Sequence, residues 1–476
     1  MRYIHRNDVY TTLRYLGVIM MAIGVMNLIP IIIDLIYLEF NFPRYLVGGG
    51  LSICLGYTLY SGLKSRSGDI KLKHAMLISS LAWLYAAVSG AVIISSCLNL
   101  EFLSGIFENM SALTGTGATI FSDVEILPRS ILFFRSLEQW IGGLGVVVML
   151  IGILTGPGSA SSKLYQSESR EERLKPSIKN TLKKTMEIYL IYTILGIILL
   201  FLAGMPLFDS ICTCFTTIST GGMGIKNANI GYYNNDLIYL VSMFLMILGA
   251  ASFMVHYKII KTKGKSLIND IQFKILISVI AIICIILYLL TNIYPMDILF
   301  TTVSAMTTCG ATIVSTDTML GWPKFVMLIM MCLMIIGGSS GSTVGAIKLH
   351  RIILFFKSLY RRVREILSPE GRVLPIQFNG VRITDKNVSD ASNYIALYVL
   401  FLIFAWAVFL YFGYDPFNSL FDVVSLQGNI GFEVGIITYN MEPILKIVCI
   451  FLMWIGRLEI YPVLILFRSF FEVFKR

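Results

Sequence analysis

The sequence predicts an all-α membrane protein: a pseudo-fourfold array of four helix/pore-loop/helix repeats, preceded by two extra N-terminal transmembrane helices. Three observations carry that reading. The chain of 476 residues is 56% apolar and only 14% charged, too oily for a soluble fold of that length. Apolar runs recur at 13–38, 75–97, 188–207, 275–290 and 394–412, most of them long enough to cross roughly 30 Å of hydrocarbon as helix. Four stretches also align without gaps: Ser111-Ala-Leu-Thr-Gly-Thr-Gly117, Thr216-Thr-Ile-Ser-Thr-Gly-Gly222, Ser304-Ala-Met-Thr-Thr-Cys-Gly310 and Ser425-Leu-Gln-Gly-Asn-Ile-Gly431. Each opens on a hydroxyl residue and closes on glycine.

In chain order, spans at 13–38 and 44–63 come first and have no re-entrant segment. No cleavable leader is expected, because the first apolar stretch is long and lacks a small-residue cleavage site. Each later unit begins with an outer span. Ser104, Asp209, Asp297 and Asn418 then stand 13 residues before the closing glycines (117−104, 222−209, 310−297, 431−418), and these side chains suit a helix N-cap. Pro206, Pro295 and Pro416 precede three of them, fixing the chain for helix entry. From cap to loop is about ten residues, a helix of roughly 15 Å, half a bilayer. Beyond each loop another span carries glycine at a regular offset: 142−117 = 25, 249−222 = 27, 337−310 = 27 and 456−431 = 25. The predicted division is 1–70 for the N-terminal pair and 71–162, 163–264, 265–366 and 367–476 for the four repeats, with the inner helix of the third broken.

The net charge of +10 does not point to nucleic acid. Lys and Arg gather at 2–14, 64–73, 163–184, 258–274, 348–386 and 468–476, in segments that alternate with the spans, the pattern of cytoplasmic loops. The intervening segments carry Glu101, Glu108, Asp123, Glu125, Asp209, Asp236, Asp297, Asp317, Asp415, Asp422, Glu433 and Glu442. Both termini are therefore expected in the cytoplasm, with the acidic loops outside, where they concentrate cations. The eight cysteines have no zinc or disulfide spacing and read as small buried hydrophobes. The four histidines fall at span ends or in loops, so no intramembrane metal centre is expected.

A non-helical loop cannot face lipid, because each unsatisfied backbone group there costs several kcal/mol. Four such loops related by pseudo-fourfold symmetry converge on an axis, where their carbonyls can replace the hydration shell of a cation. Glycine allows the backbone angles this needs. The short helices aim C-terminal ends, each worth roughly −0.5 charge, at the same axis.

The motifs Ser219-Thr-Gly-Gly222, Gln139-Trp-Ile-Gly-Gly143, Ile336-Gly-Gly-Ser-Ser-Gly-Ser-Thr-Val-Gly345 and Gly456-Arg-Leu-Glu459 resemble those of the Trk/Ktr/HKT superfamily of potassium transporters, over nearly the whole chain. The extra N-terminal pair resembles the TrkH branch rather than KtrB. The resemblance implies that the loops form a selectivity filter for K+, the transported ion, at Gly115, Thr116, Gly117, Thr220, Gly221, Gly222, Thr308, Cys309, Gly310, Asn429, Ile430 and Gly431. Glycine closing all four loops implies potassium preference; serine in the first goes with sodium permeation in some plant relatives. The resemblance further implies the potassium-conducting subunit of a Trk-type uptake system in a prokaryotic inner membrane. Its implied partners are membrane lipid, a second copy in a homodimer, and a cytoplasmic nucleotide-binding ring of the RCK/TrkA kind, with no organic cofactor and no nucleic acid.

Gly337, Gly338, Ser339, Ser340, Gly341 and Ser342 interrupt the third inner helix, and each interior glycine costs about 1 kcal/mol. This stretch is expected to unwind beneath the filter and resembles the family's intramembrane gating loop, which implies a gate; its alternative is a small-residue packing face. Arg457, a charge inside the fourth inner helix, must face water or a partner; the resemblance places it in the pore below the filter, the alternative being an ion pair to another helix. Glu459 is two residues away and cannot share its face. The basic stretch 354–386, with 163–184 and 258–274, is either a solvated positive loop or a regulator's docking surface. Enzyme readings fail: Gly115-Thr-Gly-Ala-Thr119 lacks a third glycine, and Gly338-Ser-Ser-Gly-Ser-Thr343 lacks the phosphate-loop lysine. The nearer rival is a secondary transporter coupling potassium to sodium or protons; few buried carboxylates are expected for a proton relay, which favours a gated channel-like pore.

Overall fold

The computed structural model describes residues 6–68, 70–145, 178–262, 270–369, 372 and 374–474. The first predicted span is interrupted at Ile29–Pro30 and gives two helices, α1 (Arg6–Leu28) and α2 (Ile31–Tyr37), before α3 (Phe42–Gly62). Proline has no N–H for a preceding turn, so the break falls there. Asp34 is buried at the next corner, where its carboxylate accepts from the Asn41 and Phe42 amides at 2.9 Å each. It closes the start of α3, whose free N–H groups attract negative charge.

Glycines set how α1 meets α3. A Cβ on Gly17 would strike the Gly56 carbonyl and one on Gly56 the Gly17 carbonyl; Gly24 and Gly49 are matched in the same way. Both pairs sum to 73, as an antiparallel contact requires, and bare backbones approach as closely as small-residue faces allow in lipid. Asn27 Nδ2 donates to Ser89 Oγ at 2.9 Å, and Ser52 Oγ lies 2.9 Å from the same hydroxyl, tying the pair to the first repeat.

Each repeat then runs outer helix, half-helix, loop, inner helix. The first comprises α4 (Leu72–Leu98), α5 (Phe102–Thr114) and α6 (Arg129–Leu144); the second α7 (Ile178–Leu202), α8 (Leu207–Ile218), α9 (Asp236–Ala250) and α10 (Phe253–Thr262). The third has α11 (Ile271–Leu290), α12 (Pro295–Met306), a short α13 (Thr316–Leu320), α14 (Lys324–Ile336) and α15 (Leu349–Ile366). The fourth has α16 (Asp385–Tyr411), α17 (Pro416–Gly428), α18 (Pro443–Arg457) and α19 (Tyr461–Phe474). Among the described residues five helices are long and apolar enough to span a bilayer, and α18 with α19, bent by 117°, forms a sixth candidate. In the span of α4, 72% of the residues are buried, against 33%, 17% and 22% in the outer helices of the later repeats. The N-terminal pair covers α4, whereas the other three outer helices present their flanks to lipid.

Three expectations are corrected. Ser104, Asp209, Asp297 and Asn418 are not N-caps but third residues of the half-helices, which open at Phe102, Leu207, Pro295 and Pro416. In repeats 2 to 4 proline at or beside the first position suits the opening turn, so those helices begin earlier; the first opens after Glu101 without one. Asp209 and Asp297 still sit in the positively polarised first turn. The break predicted for the third inner helix is shared: the second stops at Ala250 and restarts at Phe253, and the fourth turns sharply after Arg457. The basic stretch 354–386 is not a loop throughout: it begins within α15 and contains a hairpin, β1 (Ile376–Phe378) with β2 (Val381–Ile383), joined by Asn379-Gly380, both with positive φ, the preferred two-residue turn. The boundaries at 162/163 and 264/265 lie outside the described residues.

Gly56→Leu is expected to destabilise the α1/α3 pair by about 1–3 kcal/mol through overpacking. The thermal unfolding midpoint of the detergent-purified protein measures this. Gly50→Leu is the control: its Cβ would meet nothing within 4 Å, and the midpoint should stay put.

Candidate functional site

The four loops leave the half-helices with one backbone pattern. Left-handed residues occur at two positions in each: Gly115 and Gly117, Thr220 and Gly222, Thr308 and Gly310, Asn429 and Gly431, with φ between +54° and +90°. The second is always glycine, because no other residue adopts that region freely. Thr220 and Thr308 are β-branched, and holding them there stores strain of the kind that marks functional backbone. The amide one residue before each closing glycine donates to the opening hydroxyl residue's carbonyl: Thr116 to Ser111 at 3.0 Å, Gly221 to Thr216 at 2.8 Å, Cys309 to Ser304 at 2.9 Å and Ile430 to Ser425 at 2.9 Å. This six-to-one closure satisfies the ends of the half-helices.

The twelve residues nominated from sequence are brought together around one centre. A Cβ on Gly117 would fall on the Gly221 carbonyl oxygen, one on Gly222 on that of Cys309, one on Gly310 on that of Ile430, and one on Gly431 on that of Thr116. The contacts run from repeat 1 to 2 to 3 to 4 and back to 1, so the loops form a closed ring. Glycine is required twice over, by φ and by the neighbour's oxygen. The ring can present four carbonyl oxygens to a desolvated cation. Above it opens a cavity of about 200 Å³ lined by the four glycines together with Arg135, Lys226 and Glu433.

The regular glycines of the inner helices have a matching cause. A Cβ on Gly142, Gly249 or Gly456 would strike the carbonyl of Leu113, Ile218 or Gln427, near the C-terminal end of the same repeat's half-helix. Glycine lets each inner helix press against the half-helix that aims at the ring. In the third repeat Gly337 instead packs beside Ala346, Gly345 and Thr308, because the helix unwinds there.

Two supporting residues were misread from the sequence. Glu108 and Asp422, expected in acidic outer loops, are instead fully buried on half-helices. Both stand nine residues before the closing glycine (117−108, 431−422) and accept from the amide three residues after it, Ile120 at 2.6 Å and Val434 at 3.0 Å. They tether the exit of their own loops. Thr213 and Thr301 hold the position in the other repeats; the gapless alignment contained that signal. Glu138 is also buried, so buried carboxylates near the ring are more numerous than expected. They lie on half-helices or on an inner helix interrupted by glycine, which a search for long apolar runs passes over.

Below the ring, residues 337–348 are non-helical, and their backbone is strapped to the break in the second inner helix. Ser339 N donates to Ala250 O at 3.0 Å, Thr343 N to Gly249 O at 3.1 Å, and Phe253 N to Gly341 O at 3.0 Å. Gln272 Oε1 on α11 accepts from Ser340 N at 2.8 Å. Two interrupted helices thus satisfy one another. The nominated residues Gly337, Gly338, Ser339, Ser340, Gly341 and Ser342 sit chiefly against α9 and α11; the ring is touched mainly by the next residues. Thr343 Oγ1 lies 3.0 Å from Thr220 Oγ1, and Gly345 N donates to Thr308 Oγ1 at 3.1 Å.

Arg457 is the last residue of α18 rather than a mid-helix position. Its Nη1 donates to Thr343 O at 2.6 Å, and its Nη2 to Gly142 O at 2.7 Å and to Gly143 O. One guanidinium joins the unwound segment to the first and fourth inner helices. Glu459 points elsewhere, as its spacing requires: its carboxylate takes Lys348 Nζ at 2.6 Å and Arg351 Nη2. That pair clamps the restart of the third inner helix to the bend in the fourth.

Comparison with known proteins agrees with this architecture. The chain is 37% identical over 468 residues, 98% of its length and 97% of the relative's, to a Methanocaldococcus jannaschii protein described only as an uncharacterized cation transporter. It is 31% identical to the Trk system potassium uptake protein TrkG of Escherichia coli, over 93% of this chain and 94% of that one. The crystal structure of the potassium transporter TrkH from Vibrio parahaemolyticus superposes with a TM-score of 0.85 at 27% identity, covering 96% and 98% of the two chains. The TrkH family profile, described as cation transport protein, matches residues 43–473, and this chain, with four repeats closed into a ring, therefore belongs to the TrkH family.

Proposed function

We propose that this chain is the potassium-conducting membrane subunit of a Trk-type uptake system, with the loop ring as its selectivity filter. The cyclic order in which the four glycines meet the neighbouring carbonyls carries the reading. A bare cation at the centre finds peptide oxygens in place of water, and the half-helix C-termini add negative potential. Glycine closes all four loops, and curated relatives are named for potassium uptake, which favours K+ as the transported ion. The basic end of α15 marks the cytoplasmic side, and the cavity above the ring is the outer mouth.

The segment 337–348 is the gate. It is buried directly under the ring and held in place by backbone bonds to the second inner helix and by Arg457. A fixed positive charge below the filter opposes cation passage by about 1–2 kcal/mol at an effective dielectric near 20. Opening requires the segment to leave Gly249, Ala250 and Arg457 together. The helix α15 begins immediately after it and presents exposed Phe356, Tyr360, Val363 and Ile366 beside Arg362. That face suits a cytoplasmic nucleotide-binding ring, whose movement would pull on the gate. The other proposed contact regions, 163–184 and 258–274, lie largely or partly outside the described residues. A homodimer and surrounding lipid complete the assembly.

In proteoliposomes, wild-type protein is expected to carry 86Rb+ in competition with K+ far better than with Na+; equal competition by Na+ would remove the potassium assignment. Unitary current steps in a planar bilayer are expected, whereas flux that stalls without a sodium or proton gradient would establish coupled transport. Gly310→Ala should abolish the K+ preference while helical content by circular dichroism is retained.

Arg457→Ala is expected to raise basal 86Rb+ flux about tenfold, corresponding to about 1.4 kcal/mol off the barrier. Deleting 338–341 should raise it as well. A folded deletion variant with unchanged flux would show that the segment does not gate.

A further inference from the structure

The ring has one irregular member, and its irregularity is built by a side chain from another repeat. Gln139, on the first inner helix and fully buried, reaches the second loop: its Nε2 donates to Gly221 O at 2.9 Å, and its Oε1 accepts from Met223 N at 3.1 Å. It stands three residues before Gly142. The same position in the other inner helices holds Met246, Met334 and Met453, none of which can donate a hydrogen bond. The second loop is irregular in a complementary way. Where the other loops have Thr116, Cys309 and Ile430 before the closing glycine, it has Gly221, and a Cβ there would lie 2.5 Å from Gln139 Cδ. The glutamine amide occupies the space of the missing side chain.

Gly221 O is one of the four ring oxygens. An N–H donated to it engages a lone pair and weakens its pull on a cation. Among the described residues no side-chain donor reaches the Thr116, Cys309 or Ile430 oxygens. We infer that Gln139 is a specificity-determining residue: by sharing the Gly221 carbonyl it lowers the field of the ring on one side, favouring the larger, more weakly hydrated cation and shifting it away from repeat 2. The inference rests on the filter reading above. It adds that selectivity at this ring is set partly by a side chain behind the loop. Field strength of the carbonyls is one of the two physical routes to K+ over Na+ discrimination.

Two measurements test it. In proteoliposomes, Gln139→Met, which repeats the residue of the other inner helices, is expected to conduct 86Rb+ but with K+ over Na+ preference reduced about threefold to tenfold, the scale of one hydrogen bond. A merely structural role would lower both ions' flux together and leave the ratio unchanged, which would overturn the inference. The second measurement uses the wild type and so does not depend on a variant folding. In crystals grown in RbCl, the anomalous peak at this ring is expected farther from Gly221 O than from the other three oxygens; an equidistant peak would overturn the inference. If the wild type shows no K+ preference and no peak at the ring, the filter reading itself fails. A centred peak with normal preference refutes only the role of Gln139.

Discussion

Inside a bilayer a peptide group that is not in a helix must find its partner within the protein, and the closed ring of loops meets that constraint for this chain. Each closing glycine is bare where its neighbour's carbonyl arrives, and each loop amide returns to the hydroxyl residue that opened its motif. None of the loops could hold this conformation alone. The half-helices, inner-helix glycines and outer helices are arranged so that four irregular segments reach one centre and complete one another.

The same constraint explains the coupling below the ring. Unwinding the third inner helix frees backbone groups that lipid could not satisfy, and the second inner helix is interrupted at the same level. Gly249 and Ala250 offer carbonyls and Phe253 an amide to the strand of backbone passing between them. The two breaks are one feature, and a movement of either must disturb the other. Arg457 adds the first and fourth inner helices, so the segment is in touch with all four repeats.

Symmetry is therefore followed in the backbone and departed from in the side chains. Left-handed positions, loop closures and ring contacts repeat fourfold. Among the described residues, carboxylates of the half-helices tether their own loop exits only in repeats 1 and 4, and a side-chain amide supports a ring carbonyl only in repeat 2. Fusion of four units into one chain allows this, since each copy can change without the other three. A ring of identical subunits would have to repeat every substitution.

By itself the sequence determined the repeat, the half-membrane helices, the closing glycines and the break at 337–345, because each rests on local chemistry: hydropathy over a span, glycine at positive φ, and helix-breaking residues in series. It also carried the signal for Glu108 and Asp422 in the alignment offset, although their acidity suggested water. Only the tertiary structure decided which glycine meets which carbonyl, that the second and fourth inner helices are also interrupted, and that Gln139 reaches the neighbouring repeat's loop. Those contacts join residues dozens to hundreds of positions apart, and no local propensity encodes a partner that distant. The first turn of the half-helices shows the same divide: side chains suited to capping belong to a helix start, but the helices open two residues earlier, in three of the four with proline at or beside the first position.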